Sequence, residues 1–471
     1  MKRFIMNNFF NLSIIYGFGF LFLRGISFLL LPVYTNLLST FDAGIIFILY
    51  TILAFLNPVY ALGLDSALFK FYNSKQESKE SVISTSIIFL LITSFFLSSL
   101  LILISQTSAI NFIDVSYNWL LYLSIILFCD SISARSLVVL RLQERAWYYL
   151  FIGFINIVSS LLFNILFIDY YNLSNLGAVY ALTFTSLIQL LTLSPIIIKL
   201  INFNKTDFLL YKKMFFFGLP FLPATILFIS IGMIDRFFIE SYLGLKAVGI
   251  YSAGYKVGSI ISIMIIAFNL NWQPYYLKIQ DDKNFSNNIK TISQIFFIII
   301  IYIATFMCLF VNDLISIQLF GFYIIGESFW ESTIIIPWIT FGYVFYGLYV
   351  LQAPSLYIKN KQNWTPVFWG GGTILNIILN IILIPQLGIL GAAIATFISY
   401  VLMFVFIKIK NKWWMPLPIL NLRISLYVIF TLGVLLFRYY NYNSLIMSLI
   451  FAVYTIATIQ LLNHIKQSIN D

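Results

Sequence analysis

Long apolar runs, each about the length of a membrane-spanning helix, alternate with short polar connectors along the whole chain. The runs fall at about 12–38, 43–69, 82–104, 118–140, 147–168, 176–198, 214–235, 247–275, 291–311, 333–357, 366–384, 389–407, 422–437 and 444–463. A spanning helix needs about 20 mostly apolar residues, so the pattern predicts about fourteen transmembrane helices, spans 1 to 14. No connector is longer than about 20 residues, which leaves no room for a second folded domain. The first run exceeds the apolar core of a signal peptide and lacks a cleavage-site pattern, so it reads as span 1.

Composition agrees and narrows the class. Hydrophobic residues make up 61% of the 471 residues and charged residues 9%, against roughly 45–50% and about 25% in soluble domains. Such a chain cannot cover itself with a water-compatible surface, so the fold class is an all-α integral membrane protein. The 49 Phe, 30 Tyr and 9 Trp suit lipid-facing packed helices; spanning strands of a β-barrel are short and alternate apolar with polar residues. A sizeable soluble catalytic domain is excluded.

The formal charge of +10 raises the question of a nucleic-acid partner, and the position of the charges answers it. With the N-terminus in the cytoplasm, 22 of the 27 Lys and Arg fall in cytoplasmic segments, and only Arg236, Lys246 and Arg438 fall outside. That asymmetry is the positive-inside signal. It predicts a multi-pass protein with both termini cytoplasmic and no nucleic-acid partner. Arg24 and Lys256 alone remain within spans.

Enzymatic and metal chemistry find little support. Cys129 and Cys308 lie in separate hydrophobic spans, and His464, the single histidine, sits at the C-terminal membrane edge. These residues give no metal spacing and no nucleophile–base pair, so no metal, cofactor or catalytic residue is expected.

An internal repeat supplies the organisation. Asn164-Ile-Leu-Phe-Ile, followed by Leu176-Gly-Ala-Val-Tyr-Ala181, matches Asn380-Ile-Ile-Leu-Ile, followed by Leu390-Gly-Ala-Ala-Ile-Ala395. The offset is 216 before the turn and 214 after it, and Asp42-Ala-Gly-Ile recurs in weaker form as Ala247-Val-Gly-Ile at an offset of 205. These matches pair span 2 with span 8, and spans 5–6 with spans 11–12. The chain is expected to form a six-helix lobe over 1–200, a second over 201–410, and two additional helices over 411–471. A repeat of an even number of spans keeps its orientation, a recurrent transporter design with cargo bound between the halves.

The segments Phe217-Gly-Leu-Pro-Phe-Leu-Pro223, Asp235-Arg-Phe-Phe-Ile-Glu-Ser-Tyr242 and Val248-Gly-Ile-Tyr-Ser-Ala-Gly-Tyr-Lys256 resemble spans 7–8 of the polysaccharide-biosynthesis exporters. These are the O-antigen and capsule-unit flippases of the MOP superfamily, whose relatives include lipid II flippases and MATE-type multidrug exporters. Leu31-Pro-Val-Tyr-Thr-Asn-Leu-Leu-Ser39 followed by Asp42-Ala-Gly resembles the same family's first hairpin. The resemblance implies a MATE-like fold and a flippase in the bacterial cytoplasmic (inner) membrane. Its cargo would be an oligosaccharide on an undecaprenyl pyrophosphate carrier, moved among membrane lipids to a polymerase or ligase of the same pathway.

Ionisable groups within a membrane are costly and are therefore functional candidates. Arg24, midway along span 1, and Lys256, in span 8, come one from each half and suit the phosphate or acidic sugar of such a cargo, by charge-assisted hydrogen bonds; pairing with a nearby acid or reaching to the interface is the other reading. Asp65 lies near Lys70 and is expected to pair with it. Asp130, at mid-depth in span 4, either pairs with Arg24 or titrates in a coupling cycle. Asp235 and Arg236 at the outer end of span 7 read as an ion pair or gate. Asn269, Asn271 and Gln273 form a dense amide segment around Trp272 that suits sugar hydroxyls.

Two further features are structural. Pro32, Pro58, Pro220, Pro223, Pro337 and Pro354 lie in or at the ends of spans, where proline frees a carbonyl and bends a helix. The basic, Trp-rich stretch Lys408–Pro416 reads as an anchor on the anionic cytoplasmic leaflet. Lipid II transport is a close relative of the flippase reading. A cation-coupled drug or metabolite antiporter is the next alternative, disfavoured by the membrane-depth cations. An embedded glycosyltransferase or polymerase is disfavoured by the short loops.

Overall fold

In the computed structural model the described residues are 28–74, 76–106, 118–319, 321–417, 419, 421–440 and 444–470. The segments are overwhelmingly helical, as hydrocarbon demands: with no water to bond, backbone N–H and C=O groups must pair within their own segment. Among the described residues nine helices are long and apolar enough to cross a membrane, and three bent pairs bring the number to twelve. Shorter apolar helices at Phe28–Leu37 and Leu422–Phe437 fall on spans 1 and 13. The fourteen expected runs all carry helix.

The chain divides into two compact units, Met1–Met233 and Ile234–Asp471. In the first, span 2 (Thr40–Ala61) is capped by Ser39, whose hydroxyl accepts from the Asp42 N–H at 3.1 Å. It stops where Leu62 and Gly63 turn left-handed (φ 51° and 65°), and the chain resumes as Leu64–Tyr72. Span 3 is Lys79–Ser105, span 4 Asn118–Leu142, span 5 Ala146–Asn164 and span 6 Ser174–Leu200. Span 4 packs against spans 2, 3 and 6 and is 67% buried, whereas span 3 is 22% buried and shows Phe95 and Phe96 on its outer face. Span 7 is bent by 41° between Phe208–Gly218 and Phe221–Met233, at Pro220.

The two breaks meet. A Cβ on Gly63 would lie 2.0 Å from the Gly218 carbonyl oxygen, and one on Gly218 would lie 2.7 Å from that of Gly63. Small residues let helix backbones touch in lipid, where close packing rather than hydrophobic burial drives association.

The second unit opens with Asp235–Leu243, which carries span 7 past the end of its hydrophobic run. Span 8 bends by 43° between Leu245–Gly258 and Ile260–Lys278. Span 9 is Phe285–Leu309 and span 10 Ile336–Gln352, entered through a 53° bend from Glu327–Ile334. Spans 11 to 14 are Thr365–Leu387, Ile389–Trp414, Leu422–Tyr440 and Ser444–Asn470. Gly254 and Gly258 let span 8 press on Ser332 and Ile339, each within 2.8 Å of an added Cβ. Span 9, expected from the repeat to correspond to span 3, is buried along most of its length, and spans 13 and 14 pack on it. Tyr302 bonds Thr455 at 3.0 Å and stacks on Tyr454, and the Gln294 amide donates to the Ile419 carbonyl at 3.0 Å.

One element departs from the all-helical expectation. In the longest connector Gln318–Leu319 and Phe322–Tyr323 pair antiparallel around Gly321, whose φ of 87° makes the tight turn.

Candidate functional site

Each unit encloses a polar cluster among its helices, and each cluster contains one acid. In the first unit Ser186 of span 6 donates to Asp130 of span 4 at 2.7 Å. Tyr50 of span 2 lies within electrostatic reach of Asp130 and shares a 3.0 Å hydrogen bond with Tyr34. Asn164 of span 5 reaches Tyr34 as well. Its amide donates to the Ser160 carbonyl at 2.8 Å, and its buried Oδ1 has no hydrogen-bond partner among the described residues. Span 5 continues past Asn164 as a π-helix, Ile165–Tyr170, a distortion frequent at functional sites. This brings the Phe167 backbone against Gly177, where a Cβ would lie 2.8 Å away.

In the second unit Asp235 is wholly buried. It accepts from Arg236 at 2.8 Å and from the Tyr251 hydroxyl. The Arg236 guanidinium lies over Tyr255, 4.4 Å from the ring centre, and over Tyr251 at 5.6 Å. Tyr255 shares a 2.9 Å hydrogen bond with Tyr343, and the Tyr343 and Tyr400 rings sit 5.5 Å apart. Thr396 reaches Tyr251 and accepts from Asn376 at 3.4 Å, while Asn380 donates to Asn376 at 2.9 Å. A buried ion pair is tolerable only when its remaining atoms are satisfied; here the Tyr251 hydroxyl donates to Asp235 and the Tyr255 ring face covers Arg236.

The expected residues are placed as follows. Asp235 and Arg236 do pair, but they are enclosed rather than set at an exposed end, because the helix runs on to Leu243. Arg236 is therefore not an outer-loop cation. Nor is Arg135, which was counted with a cytoplasmic segment; it is 1% exposed inside span 4. Arg236 falls just past the end of its hydrophobic run and Arg135 inside its own, and each sits on a helix that continues beyond it.

Asp65 pairs with Arg135 at 2.8 Å and not with Lys70, which lies over the Phe217 ring at 3.9 Å. Asp65 and Lys70 are five positions apart, whereas neighbours on a helix face are three or four apart. Arg135 also donates to the Ala61 carbonyl at 3.4 Å, so one guanidinium clamps both sides of the break in span 2.

Lys256 is half-buried in the last turn before the break in span 8 and within electrostatic reach of Arg236. Arg24 lies outside the described residues. The amides do not gather into one surface: Asn269 and Gln273 are half-buried one turn apart, whereas Asn271 is exposed and bonds back to the Ala267 carbonyl at 3.4 Å. Trp272 between them is buried, stacked on Phe268 at 5.2 Å.

Sequence reasoning missed the tyrosines, Arg135 and Thr396. The repeat offsets held the signal. Tyr50 maps onto Tyr255 at 205, Ser160 onto Asn376 at 216, and Ser186 onto Tyr400 at 214. The close glycine contact repeats too: Gly391 meets the Leu383 carbonyl at 2.3 Å as Gly177 meets Phe167.

Comparison with known proteins places this architecture. The structure is similar to that of the lipid II flippase MurJ in an inward closed conformation, at 19% identity and a TM-score of 0.64, over 97% of this chain and 98% of that one. It is also similar to a multidrug resistance MATE family transporter of the MOP superfamily in an inward-facing conformation, at 13% identity and a TM-score of 0.61, covering 83% and 95%. At these identities the likeness establishes the MATE/MurJ-like fold. Lsg locus putative protein 1 of Haemophilus influenzae is 23% identical over 71% of this chain and 84% of its own length. An uncharacterized membrane protein of Methanocaldococcus jannaschii is 22% identical, covering 81% and 79%. The family model described as polysaccharide biosynthesis protein matches residues 9–280. This multi-pass membrane protein therefore belongs to the polysaccharide biosynthesis protein family.

Proposed function

We propose that this chain flips a polyprenyl-pyrophosphate-linked oligosaccharide, an O-antigen, capsule or exopolysaccharide repeat unit, from the cytoplasmic to the outer leaflet of a bacterial cytoplasmic membrane. Both termini lie in the cytoplasm, and the 6+6 repeat of 1–200 and 201–410 works by alternating access, with 411–471 as accessory helices. The reading is carried above all by the family match over residues 9–280. Charge supports it further. Arg24, read from the sequence as midway along span 1, together with Lys256 and Arg236 on their helices, gives the hydrophobic spans a cationic character that favours an anionic head group and disfavours the cationic drugs of an antiporter. Arg236 is engaged by Asp235, so Arg24 and Lys256 are the residues assigned to the phosphate, and Asn269 and Gln273 to sugar hydroxyls. Downstream, a polymerase or ligase uses the exported unit.

Deletion of the gene tests the reading, with surface polysaccharide and undecaprenyl-linked intermediates as the readout. Loss of one polysaccharide with accumulation of its lipid-linked unit is expected. Unchanged polysaccharide without accumulation overturns it, and accumulated lipid II assigns the cargo to cell-wall synthesis instead. Arg24→Ala and Lys256→Ala are expected to complement the deletion poorly; full complementation by both removes them as cargo contacts.

A further inference from the structure

The acid of the second unit carries its own counter-charge, whereas among the described residues the acid of the first meets no cation. Asp235 is held by Arg236 and Tyr251. Asp130 accepts one hydrogen bond, from Ser186, and among the described residues it forms no ion pair. An ionised carboxylate at membrane depth without a cation is costly, and a proton removes that cost. We propose that Asp130, with Ser186 and the Tyr50–Tyr34 hydroxyl pair, is a proton-binding site in the first unit. Its part in driving transport rests on the flippase reading above; its existence does not.

The surroundings suit a group that changes its protonation state. A serine hydroxyl donates to an ionised carboxylate and accepts from a protonated one, so Ser186 serves both forms without rebuilding the site. Tyr50 and Tyr34 extend the hydroxyl chain from span 2 into span 1. Asn164, with one buried oxygen still unpartnered, stands beside it. Asp130 is partly buried, not sealed, which leaves a proton a way in. The chemistry is a simple exchange: a carboxylate oxygen takes a proton from hydronium, water leaves, and the reverse step returns the proton to water.

The other groups around Asp130 do not replace that proton. Span 4 itself carries the Cys129 thiol beside it and Ser131, which bonds Ser94 of span 3 at 2.9 Å. Spans 5 and 6 bring the neutral Asn156–Gln189 pair, bonded at 2.8 Å. Arg135, further along span 4, is committed to Asp65 and the Ala61 carbonyl. Arg24 of span 1 lies outside the described residues, and the test includes it for that reason.

The experiment is an infrared pH titration of the full chain reconstituted in phosphatidylcholine–phosphatidylglycerol vesicles, comparing wild type with Asp130→Asn. A protonated-carboxyl C=O band is expected in wild type at low pH, absent at high pH and lost in Asp130→Asn. Ser186→Ala is expected to shift that band, and Asp130→Glu to keep one with a different midpoint. Melting temperatures in detergent show whether each variant is folded. The proposal is overturned by folded Asp130→Asn that loses no titrating band. It is equally overturned by a band that responds to sodium and not to pH, or by one that appears only after Arg24→Ala, which would make Arg24 the permanent partner. None of these readouts involves the cargo, so the site and the flippase reading fail independently.

Discussion

The two units hold their polar clusters on matching positions: Tyr50 with Tyr255, Asn164 with Asn380, Ser160 with Asn376 and Ser186 with Tyr400. Their charges do not match. In the first unit the acid is on span 4 and is met by a hydroxyl; in the second it opens the last segment of span 7 and is met by a guanidinium caged in tyrosines. The positions related by these offsets keep hydrogen-bonding groups, while the charge sits elsewhere. A neutralised acid fixes structure, whereas an acid that meets no cation among the described residues is available to take up a proton, so on the proposal above the halves divide holding from switching.

That contrast breaks most visibly at Arg236. Arg236→Ala leaves Asp235 buried and unpaired, and is expected to cost about 3–5 kcal/mol. Thermal melting should show it, with Asp235→Asn/Arg236→Met recovering most of the loss. If the single variant melts like wild type, the second cluster is not structural. Arg135→Met strikes the ion pair of the first unit, where Asp65 is 45% exposed. Water takes over part of that pairing, so the cost is expected at about 1.5–3 kcal/mol, smaller than at Arg236.

The glycine contacts sharpen the comparison further. Gly391→Ala and Gly177→Ala are each expected to cost roughly 1–3 kcal/mol through overpacking, with Gly391→Ala the worse because its Cβ would sit 2.3 Å rather than 2.8 Å from backbone. Melting of the two variants side by side ranks them, and the reverse order would show that the π-helix at Ile165–Tyr170 does not ease the contact. The smallest effects belong to the buried amides. Asn380→Ala and Asn164→Ala are expected to lose about 0.6–2 kcal/mol each, read by the same melts.

Much of the fold was legible because lipid imposes it. The runs carry helix where their residues are described, and the 216 and 214 offsets led to Asn164, Asn380, Gly177 and Gly391, all of which make buried or close contacts. Breaks were legible where proline stands beside them, at Pro220 and Pro337. The break at Ser259 carries no proline, and hydropathy runs through it unbroken. Asp235 and Arg236 were legible as a pair because they are adjacent in sequence. The Asp65–Arg135 pair joins distant segments and leaves no local trace. Arg236 follows the end of its hydropathy run and Arg135 stands near the basic residues at the cytoplasmic end of its own, so both read as loop residues, although each is carried into the interior by a helix that continues and a partner that neutralises it. Tyrosines are abundant in any lipid-exposed chain, so those around Arg236 stood out only once Tyr255 was aligned with Tyr50.

The sidedness of the lipid-linked intermediate tests the flippase reading most directly. In spheroplasts of a deletion strain, a sugar-specific lectin that cannot cross the membrane is applied from outside, and undecaprenyl-linked oligosaccharide is quantified before and after. The expected result is an accumulated intermediate inaccessible to the lectin until the membrane is opened, with access restored by the wild-type gene. An accumulated intermediate already exposed on the outer face would place the defect after translocation and contradict the proposed function.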